Sequence, residues 1–260
     1  MILIGEKINA TRKSIAAALD ARDADIIIQT AIAQERAGAH YLDVNGGDPH
    51  SGREQENIAW LMGLVQANTD LPVSVDTADP AAARKGLSMA KKRPIFNSIS
   101  LESERLESGL EIAGEFDCMV VALLMDDSGT PTGVDDRVER AGKLIGRLTE
   151  TGRTVEDLIV DPCFIPVSTD PVNGRNVIDA IAAIRREWPD VHIGGGVSNI
   201  SFGLPKRKWV NLAAVCQAIY AGMDAAIVDP CLDGAVGMML AAEALAGRDE
   251  FCMNYVTAMR

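Results

Sequence analysis

Eight short apolar runs divide this chain, and each ends in a carboxylate, an amide or another polar group before a helix-like segment follows. The runs are Ile2–Glu6, His40–Asn45, Pro72–Asp76, Pro94–Ser98, Met119–Asp126, Leu158–Pro162, His192–Asn199 and Asp224–Pro230. An unpaired charge at the end of a buried strand costs several kcal/mol. Polar groups at the same end of every strand therefore indicate a ring of parallel strands whose carboxyl ends form a reaction site.

The segments between these runs have the composition and length of helices. We expect helices near residues 24–38, 55–68, 80–91, 102–115, 134–150, 174–187, 208–221 and 233–246. Asp79 before Pro80 is a typical helix start, and either Asn211 or the turn at 206–208 begins the seventh of these helices. The alternation predicts an α/β fold, a single (β/α)₈ TIM barrel over residues 1–260. An open doubly wound sheet is the alternative, but residues 5–9 lack the GxGxxG pattern after the first strand.

Composition limits the partners of the chain. The 25 basic and 37 acidic residues give a formal net charge of −12, which disfavours nucleic acid and anionic membranes as partners. No window reaches the ~18 apolar residues of a membrane span, and the first residues form no signal peptide. We expect a cytoplasmic protein.

The cysteines and histidines have no spacing that encloses a metal. The five cysteines (Cys118, Cys163, Cys216, Cys231 and Cys252) and three histidines (His40, His50 and His192) are scattered, and we expect no bound metal. Cys163 and Cys231 each follow Asp-Pro at a strand end. They either line the site or are small residues in a reducing cytosol.

The polar groups at the strand ends are mostly acids and amides, with scarcely a cation among them. They are Glu6, Asn9, Asp43, Asn45, Asp76, Asn97, Asp161, Ser198, Asn199 and Asp229. A phosphate site would need lysine, arginine or clustered backbone N–H groups. A neutral heterocycle with N–H donors and ring nitrogens, such as a pterin, fits these acceptors better.

Individual acids also have structural interpretations. Glu6 could pair with Lys7 or another barrel residue, and several of the aspartates could cap the helices that follow them. The capping interpretation is strongest for Asp76, since Thr77 and Asp79 stand near a helix start. Several such acids at the same end of the strands nevertheless favour a site.

The segment after the seventh run carries the most specific signals. Gly194, Gly195 and Gly196 are either a phosphate-binding loop or a backbone thinned so that a flat ligand can approach. No basic residue follows until Lys206, which favours the second interpretation. Asn199 can donate or accept a hydrogen bond, so it can follow a change in the ligand's protonation.

Over nearly its whole length the chain resembles the methyltransferases that exchange methyl groups between tetrahydrofolate and corrinoid proteins. The group includes the corrinoid iron–sulfur protein methyltransferase of acetogens and the folate module of cobalamin-dependent methionine synthase. It belongs to the wider pterin-binding barrels, which also include dihydropteroate synthase. The resemblance lies in Gly5–Thr11, His40–Gly47, Val73–Thr77, Phe96–Ser100, Ile159–Pro162 and Gly194–Arg207.

The resemblance implies a methyltransferase whose substrate is tetrahydrofolate or 5-methyltetrahydrofolate. Asn199, Asp76 and Asp161 resemble the catalytic set, with Asn199 near the N5 atom that carries the methyl group. The residues that resemble the pterin contacts are Glu6, Asp43, Asp76, Asn97, Asp161, Ser198, Asn199, Phe202 and Arg207. At Phe202 the acetogen enzymes have a polar amide, whereas methionine synthase modules have phenylalanine.

The resemblance also implies the partners. The corrinoid arrives on a separate protein, because the chain shows no cobalamin-binding module, and homodimers are common in the family. Of the two directions of methyl transfer, we slightly favour the one in which tetrahydrofolate is the acceptor, in a demethylation pathway. The alternative direction delivers the methyl group to a corrinoid iron–sulfur protein. Two other functions remain open: a non-catalytic folate-binding module, and a dihydropteroate synthase. The latter lacks support, because the cations that handle pyrophosphate are missing.

Overall fold

The computed structural model describes residues 1–47 and 52–260, in which strands and helices alternate in the predicted order. The strands are β1 (Ile2–Asn9), β2 (Tyr41–Asn45), β3 (Val73–Asp76), β4 (Ile95–Leu101), β5 (Met119–Asp126), β6 (Leu158–Asp161), β7 (His192–Ile193) and β8 (Ala225–Val228). The α-helices are α1 (Lys13–Ala21), α2 (Ala24–Arg36), α3 (Glu54–Asn68), α4 (Pro80–Ser88), α5 (Ser103–Glu115), α6 (Val134–Thr149), α7 (Asn173–Glu187), α8 (Arg207–Ala221), α9 (Ala235–Leu245) and α10 (Met253–Ala258).

The eight strands form one parallel sheet in the order β7-β6-β5-β4-β3-β2-β1-β8. A parallel bridge between Gly196 and Ile227 joins its two edges. The Ile227 N–H donates to the Gly195 carbonyl at 3.0 Å, and the Asp224 N–H donates to Ile193 at the same distance. These contacts close the sheet, so the predicted (β/α)₈ barrel is confirmed.

The barrel interior changes from apolar to polar along each strand. Its lower layer contains Ile4, Ile95, Met119, Val121, Ile159 and Ala225. Side chains alternate between the two faces of a strand, so residues two positions apart share a face. Asn97 follows Ile95 at this spacing, and Asp161 follows Ile159. Both of these polar residues face the same interior, one layer nearer the carboxyl ends of the strands. The alternation therefore turns a hydrophobic floor into a polar wall.

The structure differs from the sequence-based expectation after the seventh run. β7 ends at Ile193, and residues 197–201 form a short 3₁₀ turn in place of an extended strand. Close packing explains why the residues between β7 and this turn, 194–196, are glycines. A side chain on Gly194 would place its Cβ 2.2 Å from the Ala225 carbonyl oxygen, and one on Gly195 would lie 2.2 Å from the Asp161 carboxyl carbon. This supports the thinned-backbone interpretation.

Two helices were not predicted. Helix α1 buries Ile15, Ala18 and Leu19, and it adds a second helix to the connection between β1 and β2. Helix α10 follows the last barrel helix and contains no buried residue. None of the helices in the described part of the chain has the length and apolar character that crossing a membrane requires.

The predicted helix starts are confirmed in one case and moved in the other. The Asp79 side chain accepts hydrogen bonds from the Ala81 and Ala82 N–H groups, 2.7 and 3.3 Å away. Helix α8 begins at Arg207, directly after Lys206 in a left-handed conformation. The turn at 206–208 therefore starts this helix, and Asn211 lies inside it.

Glycine at position 86 lets helix α4 lie directly on strand β3. A Cβ there would be 2.6 Å from Val75 Cγ1 and 3.0 Å from Ile58 Cγ2. Gly63 in helix α3 is a matched contrast, because a Cβ at that position meets nothing within 4 Å.

We expect Gly86→Ala to lower the free energy of unfolding by about 1–3 kcal/mol, because the clash with a branched side chain outweighs the better helix propensity. Gly63→Ala should raise it by about 0.5–1 kcal/mol, since only the propensity changes there. Urea unfolding monitored by far-UV circular dichroism measures both values. Equal stabilisation by the two substitutions would contradict the close packing at Gly86.

Candidate active site

A cavity of ≈ 810 Å³ opens at the carboxyl ends of the strands. Of the predicted site residues, the structure places Glu6, Asn9, Asp43, Asp76, Asn97, Asp161, Ser198, Asn199, Phe202, Arg207 and Asp229 in its lining. Asn45 is the exception: it is not in the lining, and its side-chain amide donates to Asp76. The strands come from distant parts of the sequence, and closure of the sheet brings these groups together.

Asp43 and Asp76 form a buried pair on the neighbouring strands β2 and β3. The Asp43 Oδ1 atom accepts from the Ser74 hydroxyl at 2.6 Å and from the Asn97 amide at 3.2 Å. The Asp76 Oδ2 atom accepts from the Asn45 amide at 3.0 Å. The two carboxyl groups hydrogen bond to each other. Asp76 therefore does not cap a helix, since Asp79 does.

The pair retains a proton because two charges cannot be kept side by side in a buried place. Burial raises the pKa of Asp43 well above its ordinary value, and the neighbouring Asp76 raises it further. Burial also raises the pKa of Asp76 to about 6, against the opposing effect of its hydrogen bond from Asn45. The shared proton is therefore favoured on Asp43, which donates it to Asp76, and Asp76 is the acceptor at the cavity wall.

Asp161 is the second ionised acceptor, at the end of strand β6. Burial raises the pKa of Asp161 to about 6, while hydrogen bonds from the Cys163 and Gly196 N–H groups and the positive charge of Arg137 act in the opposite direction. The bond from Cys163 is 2.9 Å long. Arg137 is fully buried, and it donates to the Pro162 and Cys163 carbonyls at 2.6 and 3.1 Å. This arginine thus holds the loop that follows Asp161.

Asn199 lies in the 3₁₀ turn after β7, the strand that pairs with the Asp161 strand β6. Its backbone N–H donates to the Gly196 carbonyl at 3.1 Å. A Cβ on Gly196 would be 2.9 Å from the Asn199 Nδ2 atom, so only glycine leaves this amide its place. The side-chain amide has no hydrogen bond to any residue of 1–47 or 52–260. Its donor and its acceptor are both available to a ligand.

Glu6 anchors the side of the cavity near strand β1. Its carboxylate accepts from the Ser198 hydroxyl at 2.9 Å and from Arg12 at 2.7 Å. Burial raises the pKa of Glu6, and the Ser198 and Arg12 contacts oppose that effect. The alternative pairing of Glu6 with Lys7 is wrong, because Lys7 instead pairs with Asp229 at 3.3 Å.

The sequence-based expectation that the site holds scarcely a cation is also wrong. Arg12 and Lys208 line the cavity together with Arg207. Thr11 and Asn211 are further lining residues that sequence reasoning missed. Their positions just after β1 and at the start of α8 were a usable signal, because barrel sites are built from these loops.

The cysteines do not contribute to the cavity. Cys163 is buried and Cys231 is exposed, and neither is among the lining residues. Within residues 1–47 and 52–260 no group of three or more histidine, cysteine, aspartate or glutamate side chains is arranged to hold a metal ion. His50 lies outside the described residues.

An ionised aspartate on each of two strands, with two amides in the same cavity lining, can bind the edge of a flat heterocycle. Asp76 and Asp161 accept from N–H groups, Asn97 donates or accepts, and the free amide of Asn199 can follow a change in protonation. This arrangement suits a pterin ring.

Comparison with known proteins agrees with this geometry. Residues 5–229 match the family of pterin binding enzymes. The methylcorrinoid:tetrahydrofolate methyltransferase of Eubacterium limosum is 34% identical over 262 residues, covering 100% of this chain and 96% of that protein. The methionine synthase of Mycobacterium leprae is 30% identical over 242 residues, which are 88% of this chain and 20% of that longer protein.

Solved structures show the same fold. The dihydropteroate synthase of Coxiella burnetii in complex with pteroic acid has a TM-score of 0.75 and 14% identity, covering 94% of this chain and 93% of that one. An identity this low supports the barrel alone. The resemblance stated from the sequence is confirmed, and the chain belongs to the pterin binding enzyme family as a methyltransferase.

Proposed function

We propose that this protein transfers a methyl group from a methylated corrinoid protein to N5 of tetrahydrofolate. The observation that carries the proposal is the pairing of ionised Asp76 and Asp161 with the free amide of Asn199 around one cavity. The Eubacterium limosum relative, which matches end to end, bears the name of this reaction in this direction.

In this proposal the pterin ring lies with its N–H edge against the carboxylates. Asp76, Asn97 and Asp161 bind the ring, and Asn199 lies at N5. Glu6, Asp43, Ser198 and Arg207 complete the wall: Asp43 by donating to Asp76, and Ser198 and Arg207 by fixing the turn that carries Asn199. The Arg207 side chain donates to the Ser198 carbonyl at 2.5 Å and to the Ser201 hydroxyl at 2.8 Å.

The chemistry needs a free N5 lone pair and a route for one proton. The lone pair attacks the methyl carbon, the cobalt–carbon bond breaks with its electron pair left on cobalt, and the N5 proton passes to solvent water at the open mouth of the cavity. Asn199 can accept from N5–H before the transfer and donate to N5 after the proton has left. The nearby carboxylates stabilise positive charge that develops at N5 during the attack.

The methyl carrier approaches from the open mouth of the barrel. The cavity lies at the carboxyl ends of the strands, where the connecting loops form its rim, and a corrinoid protein can dock over them. The homodimer and the cytoplasmic location stay predictions from the sequence.

A methyl-transfer assay tests the proposal. The protein is mixed with tetrahydrofolate and a methylated corrinoid protein, and 5-methyltetrahydrofolate is measured by chromatography together with the cobalt absorption spectrum. Product formation at a rate proportional to enzyme supports the proposal. Activity only from 5-methyltetrahydrofolate to the corrinoid protein would support the acetogenic direction, and folate binding without transfer would support a binding module. Product from a pterin pyrophosphate and p-aminobenzoate would instead indicate a dihydropteroate synthase.

Asn199→Ala should reduce the rate of methyl transfer more than about tenfold, because hydrogen-bond help at N5 is lost. The fold should be unchanged, since the side chain bonds to no described residue, and circular dichroism checks this point. Wild-type turnover by the variant would remove Asn199 from the chemistry.

Affinity for tetrahydrofolate should fall as the pH is lowered through about 6. Asp76 and Asp161 both have a pKa of about 6 in the free protein, and each must be ionised to accept from the pterin. Protonation therefore competes with binding, and each group lowers the affinity by up to about tenfold per pH unit below its pKa. Calorimetry between pH 5 and pH 8 measures the profile.

Asp161→Asn is the companion variant for this profile. It removes one titrating acceptor, so the affinity at pH 7.5 should be lower and its remaining pH dependence less steep. An affinity that stays constant from pH 5 to pH 8 in the wild-type protein would contradict the role of the two carboxylates.

A further inference from the structure

Arg137 on helix α6 is a fully buried cation that pairs with no carboxylate of residues 1–47 and 52–260. Its guanidinium donates instead to three backbone carbonyls, those of Gly133, Pro162 and Cys163, at 3.0, 2.6 and 3.1 Å. A buried charge without a counter-charge lowers stability, because carbonyl groups replace only part of its hydration. A neutral side chain of similar size would avoid this cost. The charge therefore needs a function that a neutral side chain would not supply.

Arg140, one turn further along α6, shows the usual arrangement of a buried arginine. It is 4% exposed, and it pairs with Asp136 at 2.7 Å and with Asp126 at 3.2 Å. The charge of Arg140 is thus balanced by its own partners, whereas the charge of Arg137 is not. The two arginines share a helix and a degree of burial, so they can be compared directly.

The contacts of Arg137 lead to Asp161 at the end of strand β6. Two of its three carbonyl partners belong to Pro162 and Cys163, the residues that directly follow Asp161. Cys163 has a left-handed backbone with φ 61°, a conformation that is unfavourable for residues other than glycine. In this conformation its N–H donates to the Asp161 Oδ1 atom at 2.9 Å. The arginine therefore holds the turn that bonds to the carboxylate, and it brings a positive charge to the same place.

The charge of Arg137 acts on Asp161 against the effect of burial. Burial raises the pKa of Asp161 to about 6, and two backbone hydrogen bonds and the guanidinium charge oppose this rise. The Cys163 thiol beside them stays neutral, because burial raises its pKa. Asp136 and Arg140 also act on Arg137, in opposite directions. Arg137 therefore supplies the positive charge that favours the ionised form of Asp161.

We propose that Arg137 is a positioning residue, which keeps Asp161 ionised and so sets the pH range in which the protein binds a reduced pterin. It acts through Asp161, because it is not among the described residues that line the cavity. The inference rests on the proposed function, since it requires the pterin to donate a hydrogen bond to Asp161. Without the positive charge the carboxyl group would keep its proton at higher pH, and the pterin would meet a donor in place of an acceptor.

Arg137→Gln and Arg137→Lys form a matched pair that tests the role of the charge. Glutamine can still donate to a carbonyl but is neutral, whereas lysine keeps the charge. Calorimetry with 6-methyltetrahydropterin between pH 5.5 and pH 8.5 measures the affinity. Arg137→Gln should bind about fivefold more weakly than the wild type at pH 6 and within about twofold of it at pH 8.5, because the titration of Asp161 moves upward by about one pH unit. Arg137→Lys should stay within about twofold of the wild type throughout.

The double variant Arg137→Gln/Asp161→Asn shows where the charge acts. It should have the same pH dependence as Asp161→Asn alone, because the group on which the charge acts is absent from both. A further change in pH dependence on adding Arg137→Gln would mean that the arginine acts on another group, and would overturn the inference.

Two more variants separate the charge from the structure. Arg140→Gln removes the other buried arginine of α6, and it should leave the pH dependence of binding unchanged, because that charge is balanced by its own carboxylates. Cys163→Gly lets the turn adopt its left-handed conformation without cost, so it supports folding where Arg137→Gln weakens the turn. Circular dichroism checks folding, and the pH shift caused by Arg137→Gln should persist in the Cys163→Gly background.

The outcomes separate this inference from the proposed function. A loss of affinity of equal size at every pH would show that Arg137 only supports the fold, and would overturn this inference alone. An equal pH shift in Arg137→Lys, or its disappearance after Cys163→Gly is added, would do the same. Failure of the wild-type protein to bind the tetrahydropterin at any pH would overturn the proposed function as well.

Discussion

A proton held between two carboxyl groups is the interaction on which this site depends. Asp43 and Asp76 lie on adjacent strands inside a closed barrel, where both could not be ionised. Asp43 keeps its proton, and the Ser74, Asn97 and Asn45 side chains satisfy the remaining oxygens. The result is one ionised acceptor, Asp76, with a fixed orientation towards the cavity. The site lies at the end of the barrel where apolar packing gives way to such polar groups.

Holding these acids costs stability in the absence of a ligand. An aspartate whose pKa rises on folding binds protons more readily in the native state, so its contribution to stability falls as the pH rises from 4 towards 6. For Asp161 the rise is from 3.8 to about 6. Buried Arg137 offsets part of this cost with its charge and with its hydrogen bonds to the loop after Asp161. Under the proposed function, N–H groups of the pterin offset a further part of this cost when they donate to Asp76 and Asp161.

Much of this site could be predicted from the sequence, because strand period and strand ends are local properties. Asn97 and Asp161 follow apolar residues at a spacing of two, so a barrel places them on its inner wall. The Asp43–Asp76 hydrogen bond could not be predicted, since it depends on the register between β2 and β3. Arg12 was missed for a related reason: it precedes helix α1, whose existence depends on tertiary packing of Ile15 and Leu19. Lys208 was missed because the exact start of α8 decides which side of the helix faces the mouth.

The position of Asn199 shows how close packing places a side-chain amide in the cavity lining. Gly194 and Gly195 let the backbone lie against β8 and the Asp161 carboxylate, and the space at Gly196 admits the amide itself. Each glycine here has a steric cause, and none needs a bound phosphate. The backbone of residues 194–196 therefore leaves room for the Asn199 amide at the cavity wall.

The most direct test of this account is calorimetric titration of the protein with tetrahydrofolate and with 5-methyltetrahydrofolate at pH 7.5. The account predicts one site per chain for either ligand, in the micromolar range typical of enzyme substrates. At pH 6 it also predicts release of protons on binding, because Asp76 and Asp161 each have a pKa of about 6 and must be ionised to accept from the pterin. Absence of binding by both folates would contradict the account, whatever the shape of the barrel.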